Sequence, residues 1–209
     1  MRITYIVLCC LAAISFNRSA NASIEVNGSF EIGTQDPNNP TIATSIFGWD
    51  IGGNGVERVD ASGGIGSAAD GNWFLDLAYF TTGNGIISQG IPTVASGLYE
   101  LSFALGNASA FGRDGSGVVD VYINGSLLSA FNTPTVAGPL AEWEYQTIQF
   151  IATSASTTIE FRNTEDPFTN FALLDDVSLQ AVVPEAASIA VWSGLVCIGG
   201  LVAYKRRAA

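Results

Sequence analysis

Asp175 and Asp176 stand side by side near the end of an apolar, strand-like segment, and they form the best-placed carboxylate pair in this chain. In a strand, neighbouring side chains point to opposite faces, so only one of the two can easily serve a given site. Such a carboxylate either offers hard oxygen to a cation or caps a loop by accepting backbone N–H groups; the sequence leaves both open. Aromatic residues are the second set. Trp73, Tyr79, Trp143 and Tyr145 can stack on sugar rings, with Asn72, Arg113, Asp114 and Gln146 close in sequence to meet hydroxyls. For each of them the competing reading is core packing. Trp143 is the strongest candidate for binding, since it follows a loop holding Pro134 and Pro139 and stands between Glu142 and Glu144. Trp49, in a Gly-Trp pair, reads as core.

Catalysis has little to work with. The chain has no histidine, which removes Ser-His-Asp and Cys-His machinery and any imidazole zinc site. Two carboxylates can hydrolyse a glycosidic bond. Yet residues 23–182 hold 18 acids, so some pair always looks suitable. No catalytic residue is assigned, and the expectation is a protein that is not an enzyme.

Those side chains need a frame, and composition bounds it. Residues 23–182 are one domain's worth of chain, with 3 basic residues (Arg58, Arg113 and Arg162) against 18 acidic ones, a net charge of −15. This balance argues against nucleic acid and anionic lipid as partners, since both need Lys and Arg to replace counterions. The charge favours solubility and cation binding. Cys9, Cys10 and Cys197 all lie outside this stretch, so the domain holds together without a disulfide.

The stretch reads as short β segments separated by Gly, Asn, Asp, Ser and Pro. Strands are predicted over 46–51, 56–59, 73–79, 86–91, 99–105, 118–123, 127–131, 145–151, 157–161 and 171–179. Val119, Val121 and Ile123 share a face by alternation, and Asn124-Gly125 after them signals a type I′ hairpin. Residues 33–44, 61–71, 111–117 and 132–142 read as loops, which cluster at the rims of such folds and carry binding. No segment shows a helical stripe. The expected fold class is all-β, an antiparallel sandwich or jelly roll.

The two ends read differently. Residues 1–22 carry Arg2, an apolar run over 3–16 and Ala20-Asn21-Ala22, the pattern of a signal peptide cleaved after Ala22. Residues 186–204 form an apolar run long enough for a transmembrane helix, within which Trp192 and Tyr204 can sit toward the interfaces, and Lys205-Arg206-Arg207 would stay cytoplasmic. Val183-Pro184-Glu185, the single span and the basic tail 205–207 resemble the PEP-CTERM sorting signal of Gram-negative bacteria; the third motif position here is Ala186 rather than Pro. The resemblance implies an inner-membrane-anchored precursor, processing by an exosortase-type transpeptidase, and display at the cell surface or in the extracellular matrix.

A second resemblance runs through the middle. It is carried by Asn27-Gly28-Ser29-Phe30-Glu31, Gly48-Trp49, Asp70-Gly71, Leu75-Asp76-Leu77, Ile87-Ser88-Gln89, Tyr99-Glu100-Leu101-Ser102-Phe103 and Leu174-Asp175-Asp176-Val177-Ser178-Leu179. Their order resembles the galactose-binding-like jelly roll of the choice-of-anchor C type and is similar to several carbohydrate-binding modules. The resemblance implies a sandwich that binds polysaccharide, and a structural Ca²⁺ held by Glu31 and Asp176 with loop carbonyls. The alternative is a structural matrix or biofilm protein without a ligand pocket. Exposed aromatics at a concave face would mark the first, uniformly buried aromatics the second, and a close carboxylate pair in a deep cleft a glycosidase.

Overall fold

The computed structural model describes residues 26–79 and 83–182. The expected signal peptide with its cleavage after Ala22, the motif Val183-Pro184-Glu185, the span 186–204 and the basic tail lie outside the described residues. No helix among the described residues is long and apolar enough to cross a membrane.

β-Branched and aromatic residues alternate with polar ones along most of the chain, and these runs become strands. In chain order they are β1 (Gly33–Asp36), β2 (Asn39–Ile46), β3 (Asp50–Gly53), β4 (Glu57–Asp60), β5 (Trp73–Asp76), β6 (Ala78–Tyr79), β7 (Gly83–Pro92) and β8 (Leu98–Asn107). There follow β9 (Gly115–Ser116), β10 (Val118–Ile123), β11 (Ser126–Asn132), β12 (Glu142–Ile151), β13 (Ser156–Asn163), β14 (Asn170–Phe171) and β15 (Leu173–Ala181). A 3-10 turn, Ala61–Gly63, follows β4. A seven-stranded antiparallel sheet runs β1-β2-β4-β5-β15-β8-β12. A second antiparallel sheet runs β11-β10-β13-β7-β3, with β6 also paired to β7. β9 and β14 form a short parallel pair.

The sheets face each other across one core. Phe103 of β8 meets Phe161 of β13 edge-on at 5.1 Å and Phe131 of β11 at 5.2 Å, so aromatic edges lock the two layers. Trp49 is core as expected, its ring 5.4 Å from Phe30 and its Nε1 donating to Asn27 O. A second, smaller apolar cluster lies on the other face of the seven-stranded sheet: Val59, Ile65, Phe74, Ala108, Phe171 and Leu173. That outer cluster turns a sheet face into a platform for the site.

The all-β antiparallel expectation holds, and so does the Asn124-Gly125 hairpin. Both residues have positive φ (50° and 77°), Ile123 pairs with Ser126, and the Asn124 side chain accepts from Thr158 N. Three expectations need correction. The strand over 46–51 is two strands broken by a Phe47-Gly48 turn, closed by Trp49 N donating to Ile46 O. The loop over 33–44 is a hairpin turning at Pro37-Asn38, where Asp36 accepts Asn38 N. The strand over 73–79 splits at Leu77, whose amide bonds Ala172 O and whose carbonyl accepts from Gly85 as the chain passes from one sheet to the other.

Candidate functional site

The seven-stranded sheet is weakly joined between β2 and β4, whose only register pair is Ile42 with Glu57. A cleft of ≈ 330 Å³ opens over this seam. Alternation on β4 turns Glu57 and Val59 to the outer face, and β5 brings Asp76 opposite Glu57 and Phe74 opposite Val59. The loop after the Ala61–Gly63 turn adds Ile65, β2 adds Thr41, and Phe111 stands at the mouth. Phe111 is 72 % exposed and held at φ 54°, a conformation costly for a bulky residue, with its ring tip reaching toward Gly64. A second hollow of ≈ 310 Å³ shares Thr41, Val59 and Gly63 with the first and extends to Gln35, Asp60 and Trp73.

The floor is polar. Arg113 and Asp76 form an ion pair at 2.9 Å with side chains 3 % and 0 % exposed. Arg113 also donates to Ala78 O and Asn170 O and stacks at 3.6 Å on the Phe171 ring. Asp76 accepts Ala78 N, Ala172 N and Arg113, and burial raises its pKa while Arg113 lowers it. Glu57 is half-buried and accepts one hydrogen bond, from Thr41 Oγ1 at 3.0 Å. Burial first, then the charge of Asp76, pushes its carboxyl up to about 7. Hydrolysis by two carboxylates needs both within reach of the bond. Asp76 is sealed with its oxygens engaged, so this pair offers one accessible carboxyl rather than two.

The aromatics expected to bind fall into different roles. Trp73 lines the second hollow, with the Arg58 guanidinium 3.8 Å over its ring. Tyr79 is a correction: it is buried (6 % exposed) in the core against Gly55 and has no face to offer a ligand. Trp143 is largely spent on packing, lying over Gly106, meeting Phe74 edge-on at 5.4 Å and donating Nε1 to Ser67 O. Tyr145 is 59 % exposed and donates its hydroxyl to Asp176 Oδ2 at 2.8 Å. That carboxylate pushes the Tyr145 phenol up to about 12.

Asp175 and Asp176 also depart from the expected alternation. Between Asp175 and Ser178, β15 carries one residue more than β8, a bulge with Asp176 at φ 45°. The two carboxylates find separate partners, Asp175 in the loop holding Ala69 and Asp70 and Asp176 at Tyr145 of β12. Asp175 is buried and caps that loop, its Oδ2 accepting Ala69 N (2.8 Å) and Asp70 N (3.0 Å). Burial pushes it up to about 7, with those backbone donors pulling the other way. Glu31 does the same job from the other side, its Oε1 accepting Asn72 N and Trp73 N. Glu31 and Asp176 are not joined in a metal site in this structure. Each is committed to protein donors and they share none, and no group of three or more acids, His or Cys among the described residues could hold a metal.

Sequence reading missed Glu57, Thr41 and Phe111. Glu57 meets Asp76 only through the pairing of distant strands, and the φ of Phe111 has no sequence signature; its place in the 111–117 loop was the one available hint.

A model of the family described as "Protein of unknown function (DUF642)" matches residues 24–180. No curated protein matches the chain in sequence. Among solved structures, the chain is similar to the module TmCBM61, solved with β-1,4-galactotriose, at 17 % identity and a TM-score of 0.49, covering 75 % of this chain and 96 % of that one. The CBM22-1 xylan-binding domain of Paenibacillus barcinonensis Xyn10C gives 15 %, 0.46, 75 % and 93 %. The module CBM36, solved with calcium and xylotriose, gives 19 %, 0.44, 64 % and 92 %.

Proposed function

Given that the chain belongs to the DUF642 family, we propose that its sandwich is a non-catalytic reader of polysaccharide, and that the cleft between Phe111 and the Ala61–Gly63 turn is where it reads. The observation that carries this reading is Phe111, a ring presented to solvent at the mouth of a cleft on a strained backbone. Sugars bind through apolar ring faces on aromatics and through hydroxyls on a few placed polar groups. Val59, Ile65 and Phe171 supply the apolar walls, and Thr41 and Glu57 the polar ones. The adjoining hollow adds Gln35, Asp60 and Trp73, enough room for more than one sugar unit.

The location is part of the same proposal and rests on the sequence of the two ends. The precursor is held in the inner membrane of a Gram-negative bacterium by residues 186–204. Cleavage after Ala22 and exosortase-type processing at Val183-Pro184-Glu185 deliver residues 23–182 to the cell surface or extracellular matrix. The ligand is then an envelope or matrix glycan.

The test is native electrophoresis of the protein through gels containing soluble polysaccharides such as xylan, galactan or mixed β-glucan. Retardation by at least one polymer, lost in Phe111→Ala with an unchanged melting temperature, is expected. Free migration in every gel overturns the reading and leaves the matrix role. Mass spectrometry of the surface form checks the location, which requires loss of residues 1–22 and of the chain beyond the Val183–Glu185 motif.

A further inference from the structure

Resting on that reading of the cleft, we infer that it admits only non-anionic sugar units, with Glu57 as the specificity-determining residue that accepts an O–H or N–H from the ligand. The argument starts from cations. Arg58, Arg113 and Arg162 are the whole basic complement of residues 23–182. Each is already spent. Arg58 donates to Phe30 O and Glu31 O at 2.7 Å and covers Trp73. Arg113 is buried on Asp76 and two carbonyls. Arg162 pairs with Glu160 and lies 4.1 Å over Tyr122. A uronate, sulfate or phosphate on a glycan needs a forked or point cation to replace its water, and neither arginine at the cleft, Arg58 or Arg113, is left to turn toward one.

The cleft carries the complementary feature. Glu57 Oε1 receives Thr41, and among the described residues no protein donor reaches Oε2. Directly across the strand pair stands Asp76, whose charge is met by Arg113 below. An acceptor flanked by a second carboxylate and by the apolar walls Val59, Ile65 and Phe171 repels an anion and favours a donor. That donor is a hydroxyl of a neutral sugar or the ammonium of an amino sugar; the chemistry at Glu57 is shared.

The experiment titrates the full processed protein with three soluble polymers: a neutral xylan or galactan, a deacetylated amino-sugar polymer, and polygalacturonate. Salt is raised until the long-range repulsion from the −15 surface is screened, so that what survives is local. The expected result is binding to the neutral or the amino polymer at least about tenfold tighter than to polygalacturonate, since like charges brought together in an interface are strongly penalised. Glu57→Gln, which keeps the contact with Thr41 and removes the charge that Glu57 carries above about pH 7, narrows that ratio at pH 8 without moving the melt by more than a few degrees. A loss confined to the amino polymer names ammonium as the donor, and a loss on the neutral polymer names hydroxyl; either supports the assignment. Equal or tighter binding of polygalacturonate overturns it, as does a ratio that Glu57→Gln leaves unchanged while Phe111→Ala abolishes binding. Binding of no polymer at all instead overturns the polysaccharide reading itself.

Discussion

Arg113→Leu is the substitution with the largest consequence. The guanidinium sits 3 % exposed against Asp76, itself 0 % exposed, at 2.9 Å, and donates to Ala78 O and Asn170 O. Leucine fills part of the volume over Phe171 but leaves a buried carboxylate without its counter-charge. Removing one partner of a buried pair costs about 3–5 kcal/mol. For a domain of this size each kcal/mol moves the melting temperature by about 2–4 °C, so the expected fall is roughly 6–20 °C. The pH dependence has a definite sign. Arg113 is what lowers the Asp76 pKa against burial. Without it the folded state favours the protonated acid more strongly than the unfolded chain does, so the deficit shrinks as pH falls from 8 toward 5. The double variant Arg113→Leu with Asp76→Asn removes the charge itself. The amide oxygen introduced by Asp76→Asn can still accept Ala78 N and Ala172 N, both of which donate to Asp76 Oδ1 in the native protein. Melts followed by circular dichroism should place the double variant above the sum of the two single losses. A single-variant fall of under about 1 kcal/mol, or strict additivity, would refute the view that this ion pair holds the cleft floor.

Other perturbations test neighbouring features. Glu57 and Asp175 both sit near 7 when folded, well above the usual unfolded value for carboxylic acids, so folding takes up protons between about pH 4 and 7. Their share of stability therefore falls as pH rises through that window, and the melting temperature of wild type relative to Glu57→Gln should climb as pH is lowered from 8 to 5; a flat difference contradicts the assigned burial. Asp176→Asn should bring the Tyr145 phenol down from about 12 toward its ordinary value, read by tyrosinate absorbance against a Tyr145→Phe blank. Gly71→Ala puts a Cβ 2.5 Å from Glu31 Oε1 at a φ of +69°, and should cost about 1–3 kcal/mol while speeding hydrogen exchange at the Asn72 and Trp73 amides that Glu31 holds. Unchanged exchange there would mean that Glu31 does not pin the loop.

Local signals in the sequence led to the right elements. The 118–123 alternation and the Asn-Gly pair after it returned as β10 and its hairpin with the same bounds, because both depend on residues adjacent in the chain. Interruptions were harder to see. The Phe47-Gly48 turn sits inside an apolar run, and the Pro37-Asn38 turn sits inside a polar one that reads as loop from end to end. Non-local features were invisible. Alternation alone sent Asp175 and Asp176 to opposite faces; the extra residue in β15 is visible only against β8. The cap formed by Asp175 joins residues more than a hundred positions apart. Trp143 illustrates the same limit, since a flanking pair of glutamates reads as exposure while Gly106 and Phe74 supply its packing surface from elsewhere in the sheet.

The position of β15 ties the architecture to the order in which the chain is made. It is the last described strand, yet it lies between β5 and β8 in the seven-stranded sheet. Until Leu173 and the residues after it emerge, β1-β2-β4-β5 and β8-β12 are separate leaves, each with an unsatisfied strand edge where β15 will insert. A nascent chain must carry those edges through most of its synthesis, during which other strands can pair with them. The seven-stranded sheet thus depends on the last described strand, and a chain stopped short of Leu173 loses the strand that joins the leaves rather than a dispensable margin.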